Sequence, residues 1–251
     1  MKNSKIIALL AATAVAFAAC KKDEEDAPAP SPTPTTATFK IEYGFHWDVD
    51  DFDLTQTYAD GAGHAIQFSA VKFYFGEPHL IHNGSEVVHF HEDYFLPDAS
   101  VGEGEFTVGS ITPGSFDTLE VVIGLDSETN HADPTLAESP LNDPGMHWSW
   151  NPAAGYKFLL LEGRVDDDGD GTVDASDPSF TYHCATDAAL REAQLGFTGS
   201  VAAGGTLAPH MEIRMNLLVA GVDMLATQMG MGYEPINVQL MDNLAASLEI
   251  E

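Results

Sequence analysis

The stretch Gly145-Met-His-Trp-Ser-Trp-Asn-Pro-Ala-Ala-Gly-Tyr-Lys-Phe-Leu-Leu-Leu-Glu-Gly163 passes from an irregular segment with Asn and Pro into a strongly apolar one. The apolar part, 156–161, has the length and composition of a buried strand. The part before it carries Trp148 and Trp150, two of the three tryptophans of the chain. A core strand that directly follows a loop holds that loop in a fixed position. We therefore predict a functional site in the loop, positioned by the strand.

Similar β-type segments lie on both sides of this strand. Period-two alternation and clusters of β-branched and aromatic residues predict strands at 39–45, 65–75, 86–91, 104–108, 118–124, 156–165, 179–184 and 211–219. Gly, Pro and Asp turns separate them, and the best helix candidates, 185–194 and 222–229, are modest. The pattern predicts an all-β fold: one antiparallel β-sandwich or Greek-key-like domain with short helices and long loops.

The N-terminus predicts export and membrane attachment. Basic residues and then a short apolar run form a signal peptide over 1–19, and small residues precede Cys20, as at a lipidation site. An ordinary signal peptide that happens to end in Cys is the alternative. Residues 20–38 contain the lipidated cysteine and a Pro-rich linker, which leaves 39–251 as the β-domain. The acidic segment after Cys20 resembles the tag of outer-membrane lipoproteins in Bacteroidetes, so we expect an outer-membrane lipoprotein that faces the cell surface or the periplasm.

The chain is strongly acidic, with 10 Lys and Arg against 39 Asp and Glu and a formal net charge of -29. Such a field repels nucleic acid and favours cations, although solubility alone could also explain it. Cys184 is the only cysteine besides Cys20, which excludes a framework of intrachain disulfides.

An acidic segment at 166–177 matches the D-x-D-x-D-G pattern of calcium loops. The candidate ligands are Asp166, Asp168, Asp170, Thr172, Asp174 and Asp177. Gly171 occupies the sixth position, where such loops turn sharply. The twelfth position is Asp and not Glu, and no predicted helix enters the loop. The alternative is a solvated acidic hairpin turn, because Asp-Gly pairs are good turn formers. If Ca²⁺ binds here, we expect a structural role.

Ten histidines are many for a chain of this length, and neutral imidazole is a common ligand of transition metals. His89 and His91 would share one face of a strand, where they could bind a metal together or form an exposed pair. His79 and His82 are expected in loops. Cys184 should point away from the face of His183 and is expected to be a small buried hydrophobe.

His183 ends an aromatic-rich segment directly after the acidic loop. If the strands on either side of that loop pair symmetrically about Asp170-Gly171, residue 158 lies opposite His183. This register places His183 below the loop that contains His147. Contact between the two then depends on how 147–155 folds back.

Five short motifs occur in order over more than thirty residues: Asn130-His131, Pro140-Leu141-Asn142, Met146–Trp150, Gly155–Phe158 and Glu162-Gly163. Their order and spacing resemble the signature of the MbnP-like family of copper-binding lipoproteins. The resemblance implies that histidines bind copper together with a tryptophan oxidised to kynurenine. It also implies that the partner which performs the oxidation is a dihaem protein related to cytochrome c peroxidases.

Carried to this sequence, the resemblance yields a set of candidate copper-site residues. They are His131, His147, His183, Trp148 and Trp150, of which either tryptophan is a candidate for oxidation. The alternative for each tryptophan is an ordinary place in the core or on a stacking surface.

These observations favour a lipid-anchored copper-binding protein. The alternative is a Ca²⁺-stabilised adhesion or glycan-binding module on the cell surface. The sequence contains no Gly-x-Ser-x-Gly elbow, no His-Glu-x-x-His motif and no phosphate-binding glycine loop, so we do not expect an enzyme.

Overall fold

The computed structural model describes residues 35–148 and 154–251. The signal peptide, Cys20, the linker up to residue 34 and Trp150 lie outside the described residues. The first strand begins at Ala37, so the linker that we predicted to run to residue 38 ends slightly earlier. Among the described helices, none is long and apolar enough to cross a bilayer.

The strands form three sheets. The first contains β1 (Ala37–Trp47), β2 (Asp50–Asp51), β8 (Gly104–Ile111), β13 (Thr206–Leu207), β14 (His210–Arg214) and β16 (Leu248–Ile250). The second contains β3 (Tyr58–Ala59), β4 (Ala65–Phe73), β10 (Lys157–Val165), β11 (Ser179–Ala185) and β15 (Met229–Gly232). The third contains β5 (Phe75–His82), β6 (Ser85–His89), β7 (Tyr94–Phe95), β9 (Gly114–Ile123) and β12 (Arg191–Val201).

Helices are few and short. They are α1 (Ser127–Asn130), α2 (Met215–Leu218), α3 (Pro235–Ser247) and a 3₁₀ turn at Asp187–Ala189. The predicted all-β sandwich is confirmed. Most strand pairs are antiparallel, but β1 pairs in parallel with β13 and β14, and β11 pairs in parallel with β15. Long connections, and not hairpins, join these parallel partners.

One hydrophobic core lies between the sheets. Phe45 of the first sheet meets Phe73 of the second edge-on, with ring centroids 6.4 Å apart. Phe75 of the third sheet meets Phe106 of the first at 5.9 Å. Between Phe73 and Phe75 the backbone of Tyr74 joins two sheets, because its N–H donates to Phe158 and its carbonyl accepts from Gly124. The site strand β10 lies in the middle of the second sheet, and the other two sheets are fixed to it through these contacts.

Both predicted helices are wrong. Residues 185–194 end β11, pass through the 3₁₀ turn and start β12, whose side chains alternate between buried and exposed. Pairing with β9 outweighs the helix propensity of Ala, Leu and Glu in this segment. Residues 222–228 form turns and irregular structure, and Met229 begins β15. The longest helix, α3, begins at Pro235, a favoured first residue, and buries Leu240, Met241 and Leu244.

Two further predictions needed correction. The strand expected at 211–219 ends at Arg214 and is followed by α2. His79 and His82, which we expected in loops, both lie in β5.

Candidate metal centre

Strand β10 holds the base of the motif loop. The N–H of Lys157 donates to the carbonyl of Met146 at 2.8 Å, and His147 forms a β-bridge with Tyr156. Met146 and Tyr156 are almost completely buried. Met146 and Tyr156, which flank residues 147–155, are therefore fixed in the core, and backbone contacts join the two flanks.

The Asn-His and Gly-Tyr motifs fit together. Gly155 has a φ of +79°, and a β-carbon there would lie 2.5 Å from Oδ1 of Asn130. That oxygen accepts the N–H of Tyr156 at 2.9 Å, while Nδ2 of Asn130 donates to Asp187 at 2.7 Å. Only glycine tolerates both the positive φ and the close approach. The first residue of each motif thus has a structural role that explains its identity.

The Pro-Leu-Asn motif is also fixed to the site. The hydroxyl of Tyr74 donates to the carbonyl of Pro140 at 3.1 Å. The ring of Tyr74 packs edge-on against Tyr156, with centroids 6.0 Å apart. Nζ of Lys72 lies 3.1 Å from Asp143 directly after the motif. The Pro-Leu-Asn motif is therefore linked to Tyr156 through the side chain of Tyr74.

His183 lies in β11 opposite Leu160, so the predicted partner, residue 158, is two positions off. The pairing is centred between Gly171 and Thr172, one position beyond the predicted centre at Asp170-Gly171. Nε2 of His183 lies 2.7 Å from Oε1 of Glu162 on the same face of the sheet, whereas Nδ1 is buried without a hydrogen-bond partner. Burial lowers the pKa of His183, and Lys157 adds to this against the opposing effect of Glu162. The imidazole is therefore held neutral, the form that binds metals.

Trp148 covers this histidine. The two rings pack edge-on with centroids 5.6 Å apart. Nζ of Lys157 lies 5.1 Å from the centre of the Trp148 ring and donates to the carbonyl of Gly145 at 2.7 Å. A bulge at Phe158 puts Lys157 on the face that carries Glu162 and His183, because Lys157 pairs with Ala185 and Leu159 pairs with Cys184. Burial lowers the pKa of this lysine.

His147 lies on the other side of the loop base. Its ring meets Tyr156 edge-on at 6.4 Å. Nδ1 of His147 and the hydroxyl of Tyr156 are both buried without hydrogen-bond partners. Unpaired buried polar atoms are costly, at about 1–3 kcal/mol each, and binding of an ion is one way to satisfy them. Nδ1 of His147 and Nδ1 of His183 are nitrogen donors of the type that copper binds, and the Tyr156 hydroxyl is an oxygen donor.

His131 occupies a different environment. It follows α1, its side chain is 57% exposed, and Nε2 lies 3.2 Å from Asp187. Among the described residues, the groups of three His, Cys, Asp or Glu whose ligand atoms lie within 4.8 Å of one another include none of His131, His147 and His183. The three-histidine copper site therefore stays a prediction.

Cys184 is completely buried, and burial raises the pKa of its thiol to about 12. Its partner across the sheet is Leu159. It lies next to His183 in the strand but on the opposite face. The interpretation of Cys184 as a small buried hydrophobe is confirmed.

A mostly apolar cleft of about 380 Å³ opens beside Trp148. Its lining residues are Trp148, Ala154, Ala185, Thr186, Met231 and Gly232. Met231 pairs with His183 in the parallel ladder between β11 and β15. Its thioether is a soft donor on the same side of the sheet as the imidazole, and the sequence analysis did not identify it.

The acidic loop between β10 and β11 is ordered by its own backbone. Asp166 is buried and accepts the N–H groups of Asp168, Gly169 and Gly171. Asp177 is buried as well and accepts the N–H of Asp174 at 2.7 Å.

Three carboxylates of this loop, those of Asp166, Asp168 and Asp170, have ligand oxygens within 4.8 Å of one another. A hydrogen bond from the Asp170 N–H lowers the pKa of Asp168, but repulsion from the surrounding carboxylates outweighs it and the pKa is raised. Calcium at this loop stays a prediction.

Two more clusters have metal-like spacing. The sequence analysis considered His89 only as a possible metal-binding pair with His91 and identified neither cluster. Asp60, His64 and Asp223 form one, and His79, Glu86 and His89 form the other. In the first, the carboxylate of Asp60 accepts the N–H groups of Ala62, His64 and Met224 and also contacts the His64 ring. These donors saturate the buried carboxylate, which joins the turn that contains Ala62 and His64 to the segment that contains Met224.

Comparison with known proteins gives one family and one solved structure. The MbnP family model matches residues 36–238. The structure of MbnP from Methylosinus trichosporium is similar with a TM-score of 0.51 and 15% sequence identity, and the match covers 75% of this chain and 79% of that one. At this identity the likeness shows the fold alone. No curated protein matches the chain.

Proposed function

The chain belongs to the MbnP family, and from this premise we propose that it is a lipid-anchored copper-binding protein with His147 and His183 as ligands. The family is linked to copper binding, which gives this chain a copper-associated role. The observation that carries the proposed site is a pair of buried nitrogens without hydrogen-bond partners, Nδ1 of His147 and Nδ1 of His183. His147 directly precedes Trp148 in the chain, and His183 packs against the Trp148 ring. Copper is the ion that a nitrogen-rich, partly apolar site of this kind prefers.

A direct test compares copper loading of the full chain with that of His147→Ala and His183→Ala. Each variant should lose at least about 100-fold in affinity, more than the effect of changing a residue that only orients a ligand. His64→Ala is the matched control, because His64 is equally a partly buried histidine but lies beside Asp60. Stoichiometric copper at unchanged affinity in both variants would reject the site.

Trp148 is the tryptophan that we propose for oxidation to kynurenine, because its ring packs on His183. In that reaction two peroxide molecules oxidise the indole and are reduced to water. The C2–C3 bond breaks as one oxygen atom is added to each of the two carbons, and hydrolysis then releases C2 as formate. The dihaem peroxidase-like partner would supply the activated peroxide. The aniline nitrogen that remains could then bind copper beside the imidazoles.

Mass spectrometry of the native protein tests this step. A gain of one oxygen and loss of one carbon at Trp148 supports it, with Trp150 as the internal comparison. Unmodified Trp148 in protein that was produced together with the partner would reject it.

The acidic loop is proposed to bind Ca²⁺ in a structural role. The convergence of Asp166, Asp168 and Asp170 and the raised pKa of Asp168 support this. Ca²⁺ should raise the Tm of the wild type, and Asp168→Asn should reduce that shift. An equal rise in Tm for the variant would reject the calcium site and favour the alternative, a solvated acidic turn.

Lipid attachment at Cys20 and an outer-membrane location complete the proposal. Detergent partition of the wild type, compared with Cys20→Ala, tests the anchor, and protease treatment of whole cells distinguishes the surface from the periplasmic side. We propose a binding role without catalysis. A glycan-binding role has little support, because Tyr233 is the only strongly exposed aromatic among the described residues.

A further inference from the structure

The hairpin of β5 and β6 lies on the third sheet, on strands distinct from those of the motif loop. Its turn is Asn83-Gly84, with φ values of 51° and 73°. Two successive positive φ values at Asn-Gly are typical of a type I′ hairpin turn. The turn pairs His82 with Ser85 and so sets the register of the two strands.

A bulge then changes this register. Ile81 pairs with Glu86 and Leu80 pairs with Val88, so Val87 has no partner, and His79 faces His89. Paired residues share a face of the sheet, and so do residues two apart in a strand. His79, Glu86 and His89 therefore all lie on one face, whereas strict alternation would separate Glu86 from His89. Bulges commonly redirect side chains next to functional sites.

This face points outward. Leu80 and Leu119, on the opposite face of the same strands, are completely buried in the core. His79 faces Glu120 of β9 on its other side, which adds a second carboxylate along the row. The cluster therefore lies on the outer surface of the sheet and is reached from solvent.

The side chains are close enough to hold one ion. Nδ1 of His79 lies 3.0 Å from Oε2 of Glu86, and the ligand atoms of His79, Glu86 and His89 all lie within 4.8 Å of one another. The ring of His89 lies between those of His79 and His91, at 3.4 Å from each centroid. A surface ion pair between His79 and Glu86 would account for their contact but not for the crowding of three imidazoles.

His89 carries a feature that a simple ion pair does not account for. Its Nε2 is buried without a hydrogen-bond partner. The carboxylates of Asp60 and Asp166 differ, since backbone N–H groups saturate them. Among the described residues of these three clusters, only His89 has a buried side-chain nitrogen or oxygen without a hydrogen-bond partner.

We propose that His79, Glu86 and His89 form a second metal site, separate from His147 and His183, for a divalent late transition-metal ion of the Zn(II) or Cu(II) class. Two imidazoles and one carboxylate are a common ligand set for such ions and leave a coordination position open. The high negative charge of the chain raises the local concentration of cations. Because the site lies at the surface, its metal exchanges with solvent.

Zn(II) titration of the full chain tests the site, with excess Ca²⁺ present to saturate the acidic loop. The wild type should bind Zn(II) at the hairpin, and His89→Ala should lose at least about 100-fold in affinity. Glu86→Gln should lose about 10-fold and preserves the fold, because Glu86 is a partly exposed side chain on an edge strand. His82→Ala is the matched control, since His82 lies in the same strand on the opposite face. Circular dichroism verifies that each variant is folded.

The outcomes separate this site from the copper proposal. Zn(II) binding that is lost in His89→Ala and kept in His183→Ala supports the hairpin site even if copper fails to bind at the motif loop. Unchanged Zn(II) affinity in both His89→Ala and Glu86→Gln overturns the proposal. Loss only in His147→Ala or His183→Ala also overturns it, because the zinc would then occupy the motif loop.

Discussion

The motif centre around His183 and the hairpin cluster around His89 both depend on a β-bulge, but their side chains differ in exposure to solvent. In each, a β-bulge brings a charged side chain onto the face of a histidine: Lys157 in β10 and Glu86 in β6. At the motif centre Trp148 packs on the imidazole, and the side chains of His183 and Glu162 are 12% and 36% exposed. At the hairpin the side chains of His79 and Glu86 are 20% and 56% exposed. The hairpin therefore leaves its carboxylate more open to water than the motif centre does, although Nε2 of His89 is buried. We therefore expect a metal at the motif centre to be retained and a metal at the hairpin to exchange, because the sites differ in solvent exposure more than in ligand type.

The largest effect on stability is expected from Gly155→Ala, which would disrupt the packing of Gly155 against Asn130 beside the motif centre. The new β-carbon would meet Asn130, and the positive φ would be strained, at a cost of about 3 kcal/mol. Gly63→Ala is the matched control, because Gly63 also has a positive φ but has no atom near the new β-carbon. It should cost about 1 kcal/mol. Urea unfolding measures both, and equal costs would show that the contact with Asn130 does not hold the loop.

Asp60→Asn tests whether saturation by the backbone distinguishes a structural cluster from a metal site. Hydrogen bonds from Met224 and His64 lower the pKa of Asp60 against the opposing effect of burial. A lowered pKa in the folded state stabilises the protein above the unfolded pKa of about 4, and this stabilisation is lost as pH falls through the folded pKa.

Asp60→Asn should accordingly cost about 2 kcal/mol at pH 7. The difference from wild type should shrink below about pH 4. Unfolding curves at both pH values measure it. Zn(II) affinity should not change, and a drop in zinc binding would show that saturation does not separate these clusters.

A smaller effect is expected from Glu162→Gln, which keeps the shape of the side chain that orients His183 at 2.7 Å. Loss of an orienting carboxylate should lower copper affinity by about 10-fold and leave Zn(II) binding at the hairpin unchanged. Parallel titrations of one preparation measure both. If zinc binding fell as much as copper binding, the two centres would not be independent.

The smallest effect on copper should come from His131→Ala. His131 is mostly exposed and already engaged by Asp187, so its removal should change copper affinity by less than about 10-fold and stability by less than about 1 kcal/mol. Competition with a copper chelator measures the affinity. A loss as large as that of His183→Ala would put all three histidines on the metal, as the family resemblance implies.

The sequence analysis predicted the fold class because alternation along strands such as β1 is a local property. It also predicted the buried state of Cys184 from strand geometry. It misplaced the register at His183 by two residues, because the pairing of β10 with β11 is centred between Gly171 and Thr172 and not between Asp170 and Gly171. The helix that it predicted at 185–194 failed because pairing with β9 is a long-range interaction.

The hairpin cluster shows where local patterns stop being sufficient. Asn83-Gly84 could have predicted the turn, and counting outward from it pairs His79 with residue 88. The bulge at Val87 corrects this to His89, and packing of the hairpin against β9 stabilises the bulge. A one-residue shift in the pairing of two strands moves each side chain to the other face of the sheet. The site therefore depends on the bulge at Val87, which no local sequence pattern encodes.

Because Cys184 is completely buried, the reactivity of its thiol measures how often β11 detaches from the second sheet. Its thiol is inaccessible and un-ionised near neutral pH, so a thiol reagent can modify it only while β11 is transiently detached. The modification rate then measures the opening equilibrium of the strand that carries His183. An ion held by that histidine would slow the modification, whereas one held at the hairpin would slow it only as far as it stabilises the whole domain.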